Sequence, residues 1–197
     1  MPDSSLDNEE LFRIAVIDMK EGRHEEAIGR LKRLIELDPE NANAHCLLGA
    51  EHAELGLFDR AATELEHAIA LNPSLAVAHF QLGLIHFIRN DSQKANDCWI
   101  QLNGLPESAA LDAFSKSLLL ATSGELKGAL AEIQRGLTSN PSEALARDMN
   151  KIKAQIEDQL QQQTGEPGAK ATGDAKHALL NNYSDLSQTP GSRRKMN

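Results

Sequence analysis

The segment AIGRLKRLIELDP at residues 27–39 returns as AATELEHAIALNP at residues 61–73. Alanine and leucine occupy matching positions in the two copies, and each copy ends in Leu-Asp-Pro or Leu-Asn-Pro. The offset is 34 residues, and a fixed period of this length is typical of a repeat array. Proline disfavours helix in the residue before it, so each copy predicts a helix that ends at the Leu-Asx pair.

A second pattern keeps the same period. Leu48-Gly49 is followed 34 residues later by Leu82-Gly83. Glycine inside a helix costs up to about 1 kcal/mol relative to alanine, which is tolerable where its missing side chain lets another helix approach. The pattern therefore predicts a close helix contact at each of these two glycines.

The complete 34-residue pattern resembles the tetratricopeptide repeat family, whose unit is a pair of antiparallel helices. The resemblance implies four units, at residues 8–41, 42–75, 76–109 and 110–143. In the third unit Pro106 comes one residue early, and the fourth unit is degenerate. The resemblance is specific for the fold but not for the ligand, because one fold serves many functions.

We therefore predict an all-α fold, a right-handed α-solenoid of four helix pairs. A single pair cannot bury both of its apolar faces, whereas stacked pairs share one continuous core. A ninth helix at residues 144–163 is predicted to cap this array. Residues 1–7 are predicted to form a flexible leader. The glycine, proline and serine residues of 164–197 predict a disordered tail.

Charge and composition narrow the choice of partner and compartment. The formal net charge is −9; five basic and three acidic residues after Gln163 give the tail +2, which leaves −11 for the body. An acidic body argues against nucleic acid as the ligand. No apolar run reaches membrane-spanning length, and the N-terminus lacks the basic and apolar parts of a signal peptide. Cys46 and Cys98 form no CxxC motif, so we predict free buried thiols in a cytoplasmic protein.

Four histidines also repeat, because His45 and His52 return as His79 and His86. These are positions at which the family places packing residues, so the resemblance implies a packing role. Zinc takes three or four protein ligands, and no thiolate or carboxylate is spaced to complete a site with these pairs. We predict no metal site and no cofactor. The remaining histidines are predicted to lie on the surface: His24, His67 and His177.

The concave face is the candidate binding site that the resemblance implies. In this repeat type the first helix of each pair lines the groove, and here those positions are mostly apolar. The predicted groove residues are Phe12, Val16, Met19, Asn43, Cys46, Val77, Phe80, Leu84, Phe87, Leu111, Phe114 and Leu118, with Ala50 and Ala53 beside them. Two interpretations remain open. The stripe is either core covered by the chain's own ends, or an exposed groove for an apolar segment.

Two further apolar patterns bear on self-association. The ninth helix carries a single stripe of five apolar residues within 145–160, which predicts a capping face or a short dimeric coiled coil. An apolar island at residues 177–186 interrupts the tail, and two interpretations remain open: it visits the concave face of its own or a neighbouring molecule, or it is part of a tail that never docks. The stripe residues are Leu145, Met149, Ile152, Ile156 and Leu160.

The sequence contains no nucleophile elbow and no phosphate-binding glycine loop, so we predict no catalytic residue and no enzyme activity. The leading prediction is an adaptor or chaperone-like module that binds an apolar or amphipathic protein segment in its concave groove. The alternative is an accessory subunit of an enzyme or of a secretion or assembly complex, docked through the acidic surface of the body.

Overall fold

Helices alone make up the regular structure of residues 7–165, the part of the chain that the computed structural model describes, with side chains described to Gln162. All but the first two residues of the predicted tail, which belong to the last helix, and all but the last residue of the predicted leader lie outside this range. No helix within it is both long and apolar enough to cross a membrane. The helices are α1 (Asn8–Lys20), α2 (His24–Leu37), α3 (Ala42–Glu54), α4 (Phe58–Leu71), α5 (Ala76–Ile88), α6 (Ser92–Ile100), α7 (Ala109–Thr122), α8 (Leu126–Thr138) and α9 (Glu143–Gly165).

The turn inside each helix pair uses the same backbone conformation at the same repeat position. This residue is glycine in three of the pairs, where Gly22, Gly56 and Gly124 have φ of 70°, 72° and 85°. In the third pair it is Asn90, with φ 64°. A left-handed residue after a helix satisfies the last carbonyls and reverses the chain, and glycine or asparagine adopts it at least cost. The turns therefore recur every 34 residues because the sequence repeats these residue types there.

Close helix contacts occur at the two glycines of the Leu-Gly pairs. A Cβ on Gly49 would lie 2.8 Å from Leu65 Cγ, and one on Gly83 would lie 2.8 Å from Cε2 of Trp99. The indole Nε1 of Trp99 occupies the space beside Gly83 and donates a buried hydrogen bond of 3.0 Å to the Phe80 carbonyl. The prediction of a close contact is confirmed at both positions.

The core is continuous in the C-terminal half and divided in the N-terminal half. One cluster joins α5, α6, α7 and α8 to the buried face of α9, whose Met149, Ile152 and Ile156 are fully buried. Smaller clusters fill the contacts among α1, α2, α3 and α4 and between these helices and one face of α5. The apolar stripe of α9 thus caps the array as predicted. Self-association through 145–160 stays a prediction, and it would require α9 to leave this core.

The third pair departs from the regular repeat. Its second helix, α6, has 9 residues where α2 and α4 have 14 each. The apolar pattern of the sequence continues to Leu102, but the helix ends at Ile100 and turns follow it. Leu102 nevertheless remains fully buried. The connection from α6 to α7, which contains Pro106 and the left-handed Gly104 and Glu107, has eight residues where the α2–α3 and α4–α5 connections have four.

Candidate binding groove

A groove runs across α3, α5, α7 and the N-terminal part of α9, with a volume of about 1020 Å³. The edges of the groove are formed by the segment that leads into α5, by the α6–α7 loop and by the α8–α9 loop. Its lining includes Ala50, Ala53, Glu54, Phe58, Val77, Phe80, Gln81, Leu84, Ile88, Leu111, Pro141, Leu145, Arg147 and Asp148.

The floor of the groove is apolar and partly exposed. Val77 is 44% exposed, which is unusual for a valine in the middle of a helical array. Leu84 and Leu145 are half-buried, so they keep part of their surface available to a ligand. Small side chains at Ala50 and Ala53 make the wall formed by α3 shallow. The floor therefore offers apolar contact area that the chain itself leaves uncovered.

Two carboxylates, Glu54 and Asp148, line this groove. Burial raises the pKa of Glu54, and the charges of Glu51 and Asp148 raise it further, while His24 opposes them. Burial also raises the pKa of Asp148, against the opposing charges of Arg147 and Lys151. Each acid would be stabilised as a carboxylate by a cation brought into the groove. The groove thus combines an apolar floor with two acidic side chains, of which Glu54 is exposed and Asp148 is half-buried.

The predicted groove residues divide among three environments. Val77, Phe80, Leu84 and Leu111 line the groove, although Phe80 and Leu111 are mostly buried in its floor. Four of the predicted residues are buried in the interior instead. Three of them belong to the core cluster that also contains the buried face of α9: Phe87, Phe114 and Leu118. The fourth is Cys46. Those that lie apart from this groove, near the first pairs, are the half-buried Phe12, Val16 and Met19 and the exposed Asn43.

Sequence reasoning missed the acidic part of the site. Glu54 lies on α3 and Asp148 on α9, 94 residues apart along the chain. The sequence of the ninth helix does not indicate the direction in which this helix crosses the array. Only the placement of its first turns beside α5 and α3 brings these two carboxylates to one groove.

The repeated histidines occupy packing positions, as the resemblance implied. His52 and His79 are buried, and the Nε2 atom of His79 lies 2.9 Å from the Pro73 carbonyl oxygen. The prediction that His24 lies on the surface was wrong, because its side chain is only 26% exposed and its Nδ1 lies 2.8 Å from Glu51 Oε2. This contact ties α2 to α3, across the boundary between the first two repeats.

The two cysteines are free thiols. Burial raises the pKa of Cys46 and Cys98 to about 11 in each case, so both stay protonated at neutral pH. Thiols in this state are poor nucleophiles and poor metal ligands. Packing against neighbouring helices accounts for both residues.

Stacked antiparallel helix pairs with a 34-residue period define a helical repeat protein. Two family models match this chain: one described as TPR repeat over residues 17–56, and one described as tetratricopeptide repeat over residues 46–96. The chain is a tetratricopeptide repeat protein. This class of repeat indicates a module for protein–protein interaction. No curated protein sequence matches the chain significantly.

Solved structures of similar fold include proteins of the same class. The structure of MamA is 25% identical, with a TM-score of 0.57, over 70% of this chain and 81% of that one. TTC0263, a thermophilic TPR protein in Thermus thermophilus, is 23% identical with a TM-score of 0.65, over 79% and 84% of the two chains. YrrB, described as a TPR protein with an unusual peptide-binding site, is 16% identical with a TM-score of 0.53, over 92% and 87%.

Proposed function

We propose that this protein is a non-catalytic adaptor whose concave groove binds an amphipathic protein segment that carries lysine or arginine beside apolar residues. The observation that carries the proposal is the pairing of an uncovered apolar floor with Glu54 and Asp148 in one groove. An amphipathic helix or extended strand would place its apolar side chains on Val77 and Leu84. Its cations would neutralise the two carboxylates.

The size of the groove supports a peptide segment as the ligand. Small-molecule pockets span about 300–1,000 Å³, and this groove reaches the upper end of that range while being open along its length. The body of the protein carries a charge of −11, which would attract a cationic segment before contact. The peptide-binding site reported for YrrB supports the use of this fold for peptides in general.

Synthetic peptides test the proposal directly. We would measure binding of a leucine–lysine amphipathic peptide and of its leucine–glutamate counterpart by fluorescence anisotropy. The lysine peptide should bind, and the glutamate peptide should bind at least about tenfold more weakly, because like charges disfavour association. Equal binding of the two peptides would contradict the proposed chemistry.

Two groove variants and one matched control locate the binding site. Val77→Arg places a cation on the floor and should abolish binding of the lysine peptide. Ile100→Arg is the control, since Ile100 is 57% exposed and lies outside the groove. Glu54→Gln with Asp148→Asn should weaken binding about two- to fivefold per charge removed, which is the range of partly exposed ion pairs. Binding that resists Val77→Arg but fails at high salt would favour docking through the acidic surface instead.

A further inference from the structure

Three side chains with metal-binding atoms meet on the second repeat, away from the groove. His45 lies near the start of α3, and Glu64 and His67 lie one turn apart on α4. Their ligand atoms all lie within 4.8 Å of one another. His45 Nδ1 is 2.7 Å from Glu64 Oε2, and the two imidazole rings have centroids 5.5 Å apart. The sequence analysis considered only histidines on the same helix. It missed this group because its members lie on two different helices, α3 and α4.

A second contact fixes the orientation of His45. Its Nε2 lies 3.2 Å from the Pro39 carbonyl oxygen, an acceptor that holds a proton on Nε2. Nδ1 faces Glu64, to which it donates a hydrogen bond of 2.7 Å, and a bound metal ion would take the place of that proton. Metal-binding histidines typically donate their other ring N–H to a carbonyl or carboxylate in this way, which sets the ring for the ion.

The neighbouring repeat separates the packing role of this histidine from a ligand role. His79 occupies the equivalent position in the third repeat and contacts the Pro73 carbonyl in the same manner. Cys98 and Gln101 stand there in place of Glu64 and His67. The contact between histidine and carbonyl is therefore common to the second and third repeats. Of these two repeats, only the second also has the carboxylate and the second imidazole. Packing explains His45 but gives no reason for a glutamate and a histidine on its open side.

We propose that His45, Glu64 and His67 bind one Zn²⁺ ion, with the fourth coordination position open to solvent. Two imidazoles and one carboxylate are a ligand set that zinc uses when it keeps a water or an exogenous ligand. Bonds of about 2.0–2.2 Å to zinc would place the ligand atoms roughly 3.3 Å apart. Glu64 therefore withdraws slightly from His45, and the exposed His67 rotates inward.

The ion would connect α3 to α4 near the loop that joins the first two repeats. That loop contains Pro39, whose carbonyl orients His45. Because the site joins two helices of one repeat, zinc would stabilise this repeat without altering the groove. The open position faces solvent and could accept a side chain from a bound protein in place of water.

Calorimetric titration of the tag-free, full-length protein with ZnCl₂ tests the proposal. We expect one saturable site per chain. His67→Gln installs the residue type that the third repeat has at this position, and Glu64→Gln removes the charged ligand. Loss of an outer-shell partner already weakens metal sites by about 10–100-fold, so either variant should weaken binding by about 100-fold or more.

His24→Gln is the matched control. His24 also pairs with a glutamate, Glu51, at 2.8 Å, but among the described residues no third metal-binding side chain joins this pair. This variant should bind zinc as the wild type does. Cobalt substitution supplies a second readout, because intense visible absorption reports four-coordinate geometry and should vanish in His67→Gln. Zinc binding that is absent up to about 1 mM, or that both ligand variants leave unchanged, would overturn the proposal.

Discussion

The first two helix pairs and the last two are built on one repeat but are held together differently. In the first half the interior includes two buried carboxylates, Asp18 and Glu51, which are 1% and 2% exposed. Asp18 accepts hydrogen bonds from Arg23 and Arg30, and Glu51 lies against His24. These contacts join α1 to α2 and α2 to α3, where a purely apolar repeat would use packing alone.

In the second half aromatic rings pack against one another in the interior. Phe80 stacks on Trp99 and on Phe114, with ring centroids 6.2 Å and 5.8 Å apart. The buried polar side chains of α7 are Ser115 and Ser117, whose hydroxyls donate to carbonyls of their own helix. These interior contacts need no partner of opposite charge, and the ion pair that joins α7 to α8, Asp112–Arg135, leaves 43% of the arginine side chain exposed.

The difference teaches that the repeat specifies where helices meet, but not the chemistry of the contact. Stability in repeat proteins is approximately a sum of the stability of each repeat and of its interfaces. Apolar packing continues through α9, whereas ion pairs depend on geometry and on the protonation of each partner. We expect the first half to open at a lower free energy than the second, and the following changes test that order.

The largest effect is expected at Trp99, the centre of the aromatic cluster. Trp99→Ala removes the ring contacts and the hydrogen bond to the Phe80 carbonyl. Large-to-small substitutions of this kind cost about 3–5 kcal/mol in the free energy of unfolding. Urea unfolding measures the loss, and Ile100→Ala on the exposed face of the same helix should stay within about 0.5 kcal/mol. If Trp99→Ala lowered the free energy of unfolding by less than about 1 kcal/mol, contacts other than the aromatic cluster would be the main source of stability in this half.

The sequence predicted most of this architecture because its determinants recur. The period, the Leu-Gly pairs and the prolines are local signals, and they located the helix ends to within about two residues. The short α6 was harder, because Leu102 fits the helical pattern and stays buried although the helix has already ended.

The candidate sites were less predictable because they depend on residues from separate elements. The apolar groove positions followed from the repeat register, but α9 covers part of that stripe and adds Asp148. His67 lies on the surface as predicted, yet its neighbours His45 and Glu64 come from two helices. A periodic sequence indicates which helices pair, whereas single substitutions within one repeat carry no periodic signal.

The next largest effect is expected at Asp18 in the first pair. Breaking a buried ion pair costs about 3–5 kcal/mol, but Arg23 and Arg30 keep 42% and 21% of their side chains exposed. We therefore expect Asp18→Ala to cost about 1–3 kcal/mol. A double-mutant cycle with Arg30→Ala should give a coupling of at least about 0.5 kcal/mol. The exposed pair Arg33–Glu36 is the control, and its coupling should be smaller.

The pH dependence of stability should also differ between the halves, with a smaller effect. Burial lowers the pKa of His52. The charge of Glu64 opposes this effect, whereas the charges of Lys32 and Arg60 lower the pKa further. The unfolded chain therefore binds a proton more readily near pH 6.5, so stability is present above that pH and is lost as the pH falls through it.

We expect the contribution of His52 to the free energy of unfolding to fall between pH 8 and 5.5. His52→Leu should flatten this part of the stability profile. Burial lowers the pKa of His86 in the same direction. Because His86 is half-buried whereas His52 is buried, His86→Leu should flatten the profile less. An unchanged slope in His52→Leu would mean that His52 titrates alike in the folded and unfolded chains.

The smallest effect concerns the turns, where the two halves differ by one residue. Asn90 adopts φ 64° at the position that glycine occupies in the other three pairs. Left-handed backbone costs most L-residues about 1–2 kcal/mol, and asparagine less, while glycine adds freedom to the unfolded chain. Asn90→Gly should therefore raise the free energy of unfolding by no more than about 0.5 kcal/mol. Asn90→Ala and Gly56→Ala should each lower it by about 1 kcal/mol, because alanine bears the full backbone strain. If Asn90→Ala proved neutral while Gly56→Ala was destabilising, the turn after α5 would relax where the turn after α3 does not.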